Sequence, residues 1–541
     1  MKLYQAMPRM LERLGVEQVF GLLGGTNVNW VAEGVDAGIF KFTWTRHEES
    51  AVHAATGYAR ASGQLGVATV ARGPGFANAI NGLVAATKSH VPILLIVGES
   101  PPPFSMTSYT EQNVPQQAIT ELIGAGFHHI GRPEDLEDAF MSAAQQAWQL
   151  GRPQVIVADT GTVGDAEFQP SGPEFNLGAG VMPPKEDVHS VVDLIAASSR
   201  PLILAGQGAV LADARTELIE LSERIGARLA TTLRANRLFS GHPQDLGICG
   251  TWASPAVRDI LSETDLVLSF GSSLNPNTTD KGHVFNGAKV IPCEIDADHT
   301  PRISPIVELL VGDARQSALA LLEEWKRRTY PDRDVVGVSA PTFQQRSQSV
   351  AKVDIGSDPK RGLDSRRVAA AIDHLLPQDR VVVTDSGRTV AMTVAMVNAQ
   401  DARSWLNGNS YGCVGLGLGT ALGAVVAHPG RRVALFTGDG GFMMGLGTLD
   451  TIRAFDMDLT VVIYNDQQAG SELKELREFN QPSKHVHMEL PDVRRLADAF
   501  GGVGIVLRTE SDLEQLELPT RGLTIIDARI DPMVDGRSAL G

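Results

Sequence analysis

The chain has 541 residues, of which 43% are apolar and 20% are charged, and its formal net charge is −16. The composition is typical of a soluble globular protein, and the acidic balance argues against a nucleic-acid partner or an anionic membrane surface. The length predicts about three domains.

Segments typical of membrane or secreted proteins do not stand out. The longest plainly apolar run, residues 91–97, is too short to cross a bilayer, so we expect no membrane association. Residues 1–15 combine charged and apolar positions as an amphipathic helix does, unlike a signal peptide. Cys249, Cys293 and Cys413 fit neither a disulfide framework nor a zinc site. We therefore predict a cytoplasmic protein.

Residues 1–165 show alternating strand and helix patterns. An opening helix is followed by a short strand and a glycine turn, and a second strand ends at Glu48. A small-residue helix then ends at Gly63, and residues 66–97 repeat the order of strand, glycine turn, alanine-rich helix and strand. This alternation predicts an α/β domain with a parallel sheet.

Two connectors divide the rest of the chain. The Pro/Gly-rich segment 172–187 marks the first boundary, and the polar segment 325–354 marks the second. Strand and helix patterns alternate again after each connector. We predict a central Rossmann-like domain over residues 185–330 and a third domain over residues 360–541, so that all three domains are doubly wound parallel α/β sheets.

Asp439 lies in a tight glycine turn that follows a predicted strand, and a predicted helix and a second strand come after this turn. Because parallel neighbours joined by a helix end at one edge of a sheet, Asp439 and Asp466 are expected to lie close enough to share a cation. Mg²⁺ prefers oxygen ligands, so these carboxylates and a backbone carbonyl near Gln468 predict a magnesium diphosphate site. Gly440 and Gly441 would let the backbone approach the phosphate. The alternative is an ordinary turn capped by aspartate.

The glycine turn at Asp439, followed after a crossover by Asn465-Asp466, resembles the thiamine diphosphate signature of the acetolactate synthase and 2-oxo acid decarboxylase superfamily. That superfamily includes benzoylformate decarboxylase and pyruvate oxidase. Its second metal ligand is often the second residue of an Asn-Asn pair, and here Asp466 takes that place. The resemblance implies thiamine diphosphate and Mg²⁺ as cofactors, bound between an aminopyrimidine-binding first domain and a diphosphate-binding third domain.

Residues 46–63 resemble the family's Arg-His-Glu motif and its alanine-rich helix. The family's glutamate contacts N1′ of the aminopyrimidine, so the resemblance implies that Glu48 is the catalytic residue, with Glu49 as a neighbour on the solvent side. Such a bond favours the imino tautomer, whose 4′-nitrogen removes the C2 proton. The segment alone also fits a carboxylate stabilised by a helix dipole. Gly73 and Asn78 match the family's next cofactor-binding segment.

Four residues are candidates for the substrate pocket. Gly25 and Thr26 resemble a loop that lines this pocket in the family. Arg72 is a candidate to hold a substrate carboxylate, with a surface salt bridge as the alternative. Thr110 stands where carboligases usually carry Gln, which argues mildly against acetolactate synthesis proper.

The third domain supplies the other cofactor contacts that the resemblance implies. Gly387, Arg388 and Thr389 follow a predicted strand where the family often binds phosphate. Val414 stands at the family's wedge position, which bends the cofactor, and Gly412 would offer its carbonyl to the 4′-amino group; a tightly packed buried helix is the alternative for this segment. The remaining implied contacts are Gly438, Asp439, Gly440, Gly441, Asp466, Gln468, Ala469 and Gly470, with Asp439, Asp466 and Gln468 at the metal.

The resemblance implies an enzyme that cleaves or forms a C–C bond beside the carbonyl of a 2-oxo acid or related substrate. Decarboxylase, carboligase, C–C hydrolase and acyl-CoA lyase activities stay open. In the family the two cofactor-binding domains come from different subunits, which implies a homodimer or homotetramer. A catalytically silent cofactor-binding regulatory subunit is a second hypothesis.

A flavin-containing oxidase of the pyruvate oxidase type is the third hypothesis. Some relatives hold FAD or an ADP moiety in the central domain, where Arg234, Asn275 and Asn277 are candidate nucleotide contacts. The turn at residues 206–208 lacks the full dinucleotide-binding spacing. We therefore favour a structural role for the central domain over FAD or ADP binding.

Overall fold

A computed structural model of the chain describes residues 1–99, 112–159, 166–169, 175, 180–297, 306–387, 390–408, 411–534 and 536–540. These residues contain three six-stranded sheets, and all neighbouring strands in them are parallel. The predicted fold class of three doubly wound α/β sheets is confirmed. In these same ranges no helix is both long and apolar enough to span a bilayer.

The first sheet has the strand order β2-β1-β3-β4-β6-β5. Its strands are β1 (Gln18–Gly21), β2 (Lys41–Trp44), β3 (Gly66–Val70), β4 (Ile93–Glu99), β5 (Gly126–Ile130) and β6 (Gln154–Asp159). Its helices are α1 (Leu3–Arg13), α2 (Val28–Asp36), α3 (Glu48–Ser62), α4 (Pro74–Ser89), α5 (Gln116–Leu122) and α6 (Asp135–Leu150). Every residue of β3 and β4 is buried, as expected for parallel strands covered on both faces.

The middle sheet has the order β12-β11-β10-β7-β8-β9, which is the 3-2-1-4-5-6 order of dinucleotide-binding folds. Its strands are β7 (Pro201–Ala205), β8 (Arg228–Thr231), β9 (Asp245–Ile248), β10 (Leu266–Phe270), β11 (Lys289–Glu294) and β12 (Leu310–Val311). Its helices are α7 (Lys185–Ala197), α8 (Gln207–Leu211), α9 (Arg215–Ile225), α10 (Pro255–Ser262), α11 (Pro276–Thr279) and α12 (Ala314–Arg327), and α13 (Phe343–Ala351) lies in the second connector.

The third sheet has the order β14-β13-β15-β16-β18-β17, the same topology as the first. Its strands are β13 (Arg380–Thr384), β14 (Trp405–Asn407), β15 (Arg432–Gly438), β16 (Leu459–Asn465), β17 (Val503–Leu507) and β18 (Leu523–Arg529). Its helices are α14 (Ser365–Leu375), α15 (Val390–Met396), α16 (Gly417–Ala427), α17 (Asp439–Met444), α18 (Thr448–Ala454), α19 (Gly470–Glu478), α20 (Val493–Ala499) and α21 (Glu510–Glu514). The predicted domain limits at residues 165, 185, 330 and 360 stay predictions.

The helix expected after the Asp439 turn is split in two. The sequence pattern predicted one helix, but α17 ends at Met444 and α18 begins at Thr448. Gly445 and Gly447 lie in the break, and glycine lowers helix stability at such positions. The first-domain side chain of Arg46 lies over this break, since a Cβ on Gly447 would be 3.4 Å from its Cβ.

The first and third sheets share a continuous apolar core, which contains Leu95 of β4 and Leu435 of β15. Helices α3 and α16, which follow the second strand of each sheet, cross at very short range. A Cβ on Gly423 would overlap the carbonyl oxygen of Ala54, and one on Gly57 would overlap that of Thr420. Small residues therefore let α3 and α16 pack closely and join the first and third domains within one chain.

Candidate functional site

The site lies where the winding of the first and third sheets reverses. The reversal falls between β1 and β3 in the first sheet and between β13 and β15 in the third. Loops beyond the carboxyl ends of strands at such a point form the usual ligand crevice of α/β sheets. These loops carry Gly25 and Gly73 in the first domain and Gly387 and Asp439 in the third.

Glu48 is the first residue of α3 and is half-buried. Asn78 Nδ2 donates a 3.0 Å hydrogen bond to Glu48 Oε2. A Cβ on Gly75 would lie 3.5 Å from Glu48 Oε1, in ordinary van der Waals contact, so the carboxylate lies close to the first turn of α4. Gly73 precedes that turn with φ +60°, a conformation that favours glycine. The structure therefore brings Glu48, Gly73 and Asn78 together.

The sequence predicted that Glu49 lies on the solvent side, but its carboxylate is bonded to residues of α3 and α4. Its Oε1 accepts hydrogen bonds from Asn81 and from the ring of His53, and 29% of its side chain is exposed. The bond from His53 is the largest effect that lowers the pKa of Glu49, against an opposing effect of burial. The reason is the crossing of α3 and α4, which turns Glu49 toward the helix interface and leaves Glu48 at the open end.

Asp439 and Asp466 follow the adjacent strands β15 and β16 and are only 6% and 8% exposed. Asp439 accepts the N–H of Gly440 at 2.8 Å on one oxygen and the N–H of Gln467 at 2.9 Å on the other. Asp466 accepts the N–H of Gln468 at 3.1 Å. Burial first, and then the charge of Asp466, raise the pKa of Asp439 to about 6. The two carboxylates thus repel each other in an environment that is largely shielded from solvent.

The donor set fits a magnesium ion that also binds a phosphate. Among the described residues, no three His, Cys, Asp or Glu side chains converge as a metal centre made by protein alone. Mg²⁺ commonly takes one or two carboxylates and fills its octahedron with phosphate and water. Cβ atoms on Gly438 and Gly440 would meet nothing within 4 Å, so the backbone beside Asp439 is open to a ligand.

The loop before α16 lies over this turn. Val414 is 37% exposed, and a Cβ on Gly441 would be 3.1 Å from its Cγ1. Gly412 and Gly415 have φ of +90° and +94°, so the loop bends in a way that glycine favours. The structure therefore brings Val414 against Gly441, with Gly412 two residues before it.

Contacts between the first and third domains join the start of α3 to α18 and join α4 to the loop before α16. Arg46 donates to Asp450 at 2.6 Å, and Thr448 Oγ1 donates to Ser50 Oγ at 3.4 Å. On α4, Asn81 Nδ2 lies 3.2 Å from the Sγ of Cys413 and donates to it. The resemblance assigned the two halves of the site to different subunits, whereas here these contacts join the first and third domains within one chain.

The candidate pocket residues are partly described. Thr26 packs against the end of β4, where a Cβ on Gly98 would overlap its side chain. A Cβ on Gly25 would meet nothing within 4 Å. Arg72 lies in the turn before α4, and its Nε donates to Gln112 Oε1 at 2.9 Å. Thr110 lies outside the described residues.

The other candidate cofactor contacts lie at the edge of the third sheet. Gly387 follows β13 and has φ +130°. Arg388 and Thr389 lie outside the described residues. Ala469 precedes α19, and its N–H donates to the carbonyl of Val486 at 2.8 Å, while Gly470 begins α19. Gln468 forms an isolated β-bridge with His487.

Asp385, which directly follows β13, was not among the site residues predicted from the sequence. Its carboxylate is 1% exposed and accepts hydrogen bonds from Ser386, Gly415 and Thr437. Burial raises its pKa, and these donors oppose the rise. The signal was an aspartate at the end of an apolar strand, inside a segment already matched to the family.

A cavity of about 740 Å³ lies at the carboxyl edge of the middle sheet and reaches Tyr411 and Gly412 of the third domain. Arg234, Asn275 and Asn277 line it, as does Glu294 at the end of β11. Burial raises the pKa of Glu294 to about 8, although the N–H of Ser272 donates to it. The predicted nucleotide contacts therefore line one cavity.

Comparisons with known proteins agree with this geometry. Models of the thiamine pyrophosphate enzymes match the chain over residues 1–121 (N-terminal TPP binding domain), 188–322 (central domain) and 385–526 (C-terminal TPP binding domain). An acetolactate synthase of Arthrospira platensis is 28% identical over 96% of this chain and 92% of its own length.

Two further relatives extend the comparison. A probable acetolactate synthase large subunit of Methanocaldococcus jannaschii is 28% identical over 93% of this chain and 86% of its own length. A sulfoacetaldehyde acetyltransferase of Alcaligenes xylosoxydans xylosoxydans is 27% identical over 91% of this chain and 86% of its own. With all three domain models matched in order, the chain belongs to the thiamine pyrophosphate-dependent enzymes of the acetolactate synthase superfamily.

Proposed function

We propose that this chain is a thiamine diphosphate- and Mg²⁺-dependent lyase or carboligase. Its reaction cleaves or forms a C–C bond next to the carbonyl of a 2-oxo acid or related substrate. The observation that carries the proposal is the buried pair of Asp439 and Asp466 beside an open glycine backbone, in a domain whose helix α18 contacts the start of α3, the helix that begins with Glu48.

The chain's own residues have separate tasks in this proposal. Asp439, Asp466 and the carbonyl of Gln468 would hold Mg²⁺, and the backbone around Gly440 would hold the diphosphate. Glu48 would hydrogen-bond N1′ of the aminopyrimidine and share a proton with it. Thiamine diphosphate, when bound, supplies a carbon nucleophile at C2 for attack on the substrate carbonyl.

The loop before α16 would give the cofactor its shape. Gly412 would accept a hydrogen bond from the 4′-amino group, and Val414 would support the bend that brings this group toward C2. The remaining proposed phosphate contacts are Gly387, Arg388, Thr389, Gly438, Gly441, Ala469 and Gly470, and Gly73 and Asn78 complete the aminopyrimidine side. Gly25, Thr26, Arg72 and Thr110 are proposed to line the substrate pocket.

A substrate screen tests the proposal directly. The purified chain is loaded with thiamine diphosphate and Mg²⁺ and mixed with a panel of 2-oxo acids, diketones and acyl-CoA thioesters, alone and with an aldehyde acceptor. Products are detected by mass spectrometry. We expect cofactor-dependent release of CO₂, an aldehyde or a coupled product from at least one class, and none from a variant with Glu48→Gln. Tight cofactor binding without turnover on any substrate would instead support a silent regulatory subunit.

The cavity in the middle domain favours one alternative, a flavin-containing oxidase. A cavity at the point where the strand order reverses is the usual nucleotide site of such a sheet, and this one extends to Gly412. The absorption spectrum of the purified protein separates the alternatives. A flavin spectrum would favour the oxidase, and a colourless protein would favour the lyase or carboligase.

We also propose that the protein acts as a homodimer or homotetramer and that it is cytoplasmic. The support for an oligomer is the family's use of two subunits for one cofactor. Because α3 and α16 pack within one chain here, a monomer that retains the cofactor is the competing outcome. Light scattering with and without thiamine diphosphate and Mg²⁺ distinguishes the two.

A further inference from the structure

Asp385 is a buried carboxylate at the point where three segments of the third domain meet. It follows β13 and is 1% exposed. One oxygen accepts the N–H of Ser386 at 2.7 Å and that of Gly415 at 3.1 Å. The other accepts the hydroxyl of Thr437 at 2.9 Å. A buried carboxylate needs such donors, because its desolvation would otherwise be costly.

These donors belong to the segments that carry the proposed cofactor contacts. Gly415 follows Val414 in the loop before α16, and Thr437 lies two residues before Asp439. Both segments are therefore tied to the same side chain. Neither Gly415 nor Thr437 was singled out by the sequence.

The space around this carboxylate is closely filled. A Cβ on Gly441 would lie 2.6 Å from Asp385 Oδ2, and a Cβ on Gly417 would lie 3.0 Å from the Cβ of Asp385. Glycine at both positions lets the turn and the start of α16 approach the carboxylate. A Cβ on Gly441 would also lie 3.1 Å from Val414 Cγ1, so the loop, the turn and Asp385 are closely packed at this point. A movement of Asp385 would therefore change the distance between the loop and the turn.

We propose that Asp385 is a positioning residue, which holds the loop bearing Gly412 and Val414 at a fixed distance from the Asp439 turn. The inference rests on the proposed function, because the loop and the turn are taken to grip one cofactor. A merely structural role would stabilise the domain without changing how these two segments fit a ligand.

Hydrogen exchange on the cofactor-free chain tests the claim without any activity. In Asp385→Ala we expect the amides of Gly415 and Gly417 to exchange faster by at least about tenfold, because the carboxylate that accepts their hydrogen bonds is gone. Asp385→Asn keeps one oxygen for Ser386 and Gly415 and can donate to Thr437, so exchange should stay within a few-fold of wild type. Unchanged exchange in the alanine variant would overturn the proposal.

Asp531 offers a matched control in the same domain. It is also 1% exposed, and it accepts hydrogen bonds from Arg361 and from the N–H of Asp358. We expect Asp531→Ala to lower the melting temperature but to leave both the exchange of residues 415–417 and the dissociation constant for thiamine diphosphate unchanged. Equal effects of both alanine variants on these two readouts would mean that Asp385 is only structural.

Binding measurements connect Asp385 to the loop. By calorimetry with Mg²⁺ present, Asp385→Ala should weaken thiamine diphosphate binding by at least about tenfold, and adding Val414→Ala should weaken it little further. If the losses of thiamine diphosphate affinity in the two single variants multiply fully in the double variant, Asp385 and Val414 act independently, and the proposal that Asp385 acts through the Val414 loop is contradicted. If Asp385→Ala does not fold, Thr437→Val removes one donor and should give a smaller loss in the same direction.

The two proposals fail in different ways. If the wild-type chain does not bind thiamine diphosphate, the proposed function fails, while the exchange experiment still tests whether Asp385 holds the loop. If the wild-type chain binds the cofactor and Asp385→Ala binds it equally well, only the positioning role fails.

Discussion

Asn78 Nδ2 donates a 3.0 Å hydrogen bond to Glu48 Oε2, and this bond joins the first turns of α4 and α3. The other carboxylate oxygen lies near Gly75, 3.5 Å from where a Cβ on that residue would be. Asn78 thereby fixes the direction of Glu48 before any ligand arrives. This geometry supports the proposal that Glu48, and not Glu49, meets the cofactor.

The first prediction concerns Glu48→Gln. The amide keeps the size and one acceptor of the side chain, so fold, Mg²⁺ binding and cofactor affinity should stay close to wild type. It cannot share a proton with N1′, and we therefore expect deuterium exchange at thiamine C2 to slow by about 10²- to 10⁴-fold. Exchange is measured by proton NMR after rapid acid quench.

The matched control for this prediction is Glu49→Gln. That side chain is bound to His53 and Asn81, away from the open end of α3. We expect C2 exchange within a few-fold of wild type and a modest loss of stability. A larger loss of exchange in the Glu49 variant than in the Glu48 variant would reverse the assignment.

The second prediction concerns Asp439→Ala. The substitution removes a carboxylate that the proposal assigns to Mg²⁺ and the acceptor for the N–H groups of Gly440 and Gln467. We expect the chain to fold but to lose the rise in melting temperature that thiamine diphosphate and Mg²⁺ give to wild type. A thermal shift equal to that of wild type would contradict the assignment of Asp439 as a ligand of Mg²⁺.

The third prediction is a pH dependence. Burial, together with the charge of Asp466, raises the pKa of Asp439 to about 6, and only the ionised carboxylate binds Mg²⁺. Affinity for Mg²⁺ and thiamine diphosphate should therefore fall as the pH falls through about 6. Asp466→Asn removes the neighbouring charge and keeps an oxygen ligand, so this fall should move to lower pH. Calorimetry between about pH 5 and pH 8 measures both curves.

The same raised pKa sets the sign of a stability effect in the cofactor-free chain. The folded chain holds the Asp439 proton more tightly than the unfolded chain, in which the Asp439 carboxyl has its ordinary pKa of 3.8. The contribution of this group to stability is therefore full below pH 3.8 and is lost as the pH rises through about 6. Asp466→Asn should reduce that loss, and an opposite sign would contradict the pairing.

The fourth prediction concerns Gly423→Ala at the crossing of α3 and α16. Helix propensity alone would favour alanine by about 1 kcal/mol. The added Cβ would overlap backbone atoms of Ala54 and Tyr58, which cannot move away as a flexible side chain can. Overpacking should therefore cost about 1–3 kcal/mol or more, which exceeds the gain from helix propensity. Chemical denaturation should show a net destabilisation, whereas Gly25→Ala, where a Cβ meets nothing within 4 Å, should not.

Much of the fold followed from local patterns. Apolar strands such as Ile93–Glu99, glycine turns and small-residue helices alternate along the chain, and parallel sheets require such crossovers. The motifs at Glu48 and Asp439 were visible because the proposed function needs particular residue types at strand ends. The single helix expected after Asp439 was wrong, because two glycines interrupt it.

The sequence by itself determined the family and the three parallel sheets and gave the residues of the proposed cofactor site, because these depend on periodicity and on short motifs. Only the tertiary structure decided that Glu49 turns inward, that Asp385 joins the loop of Val414 to β15, and that α3 and α16 meet through Gly57 and Gly423. These facts depend on contacts between residues far apart in the chain, and no local pattern encodes which distant backbone a glycine or a carboxylate will meet.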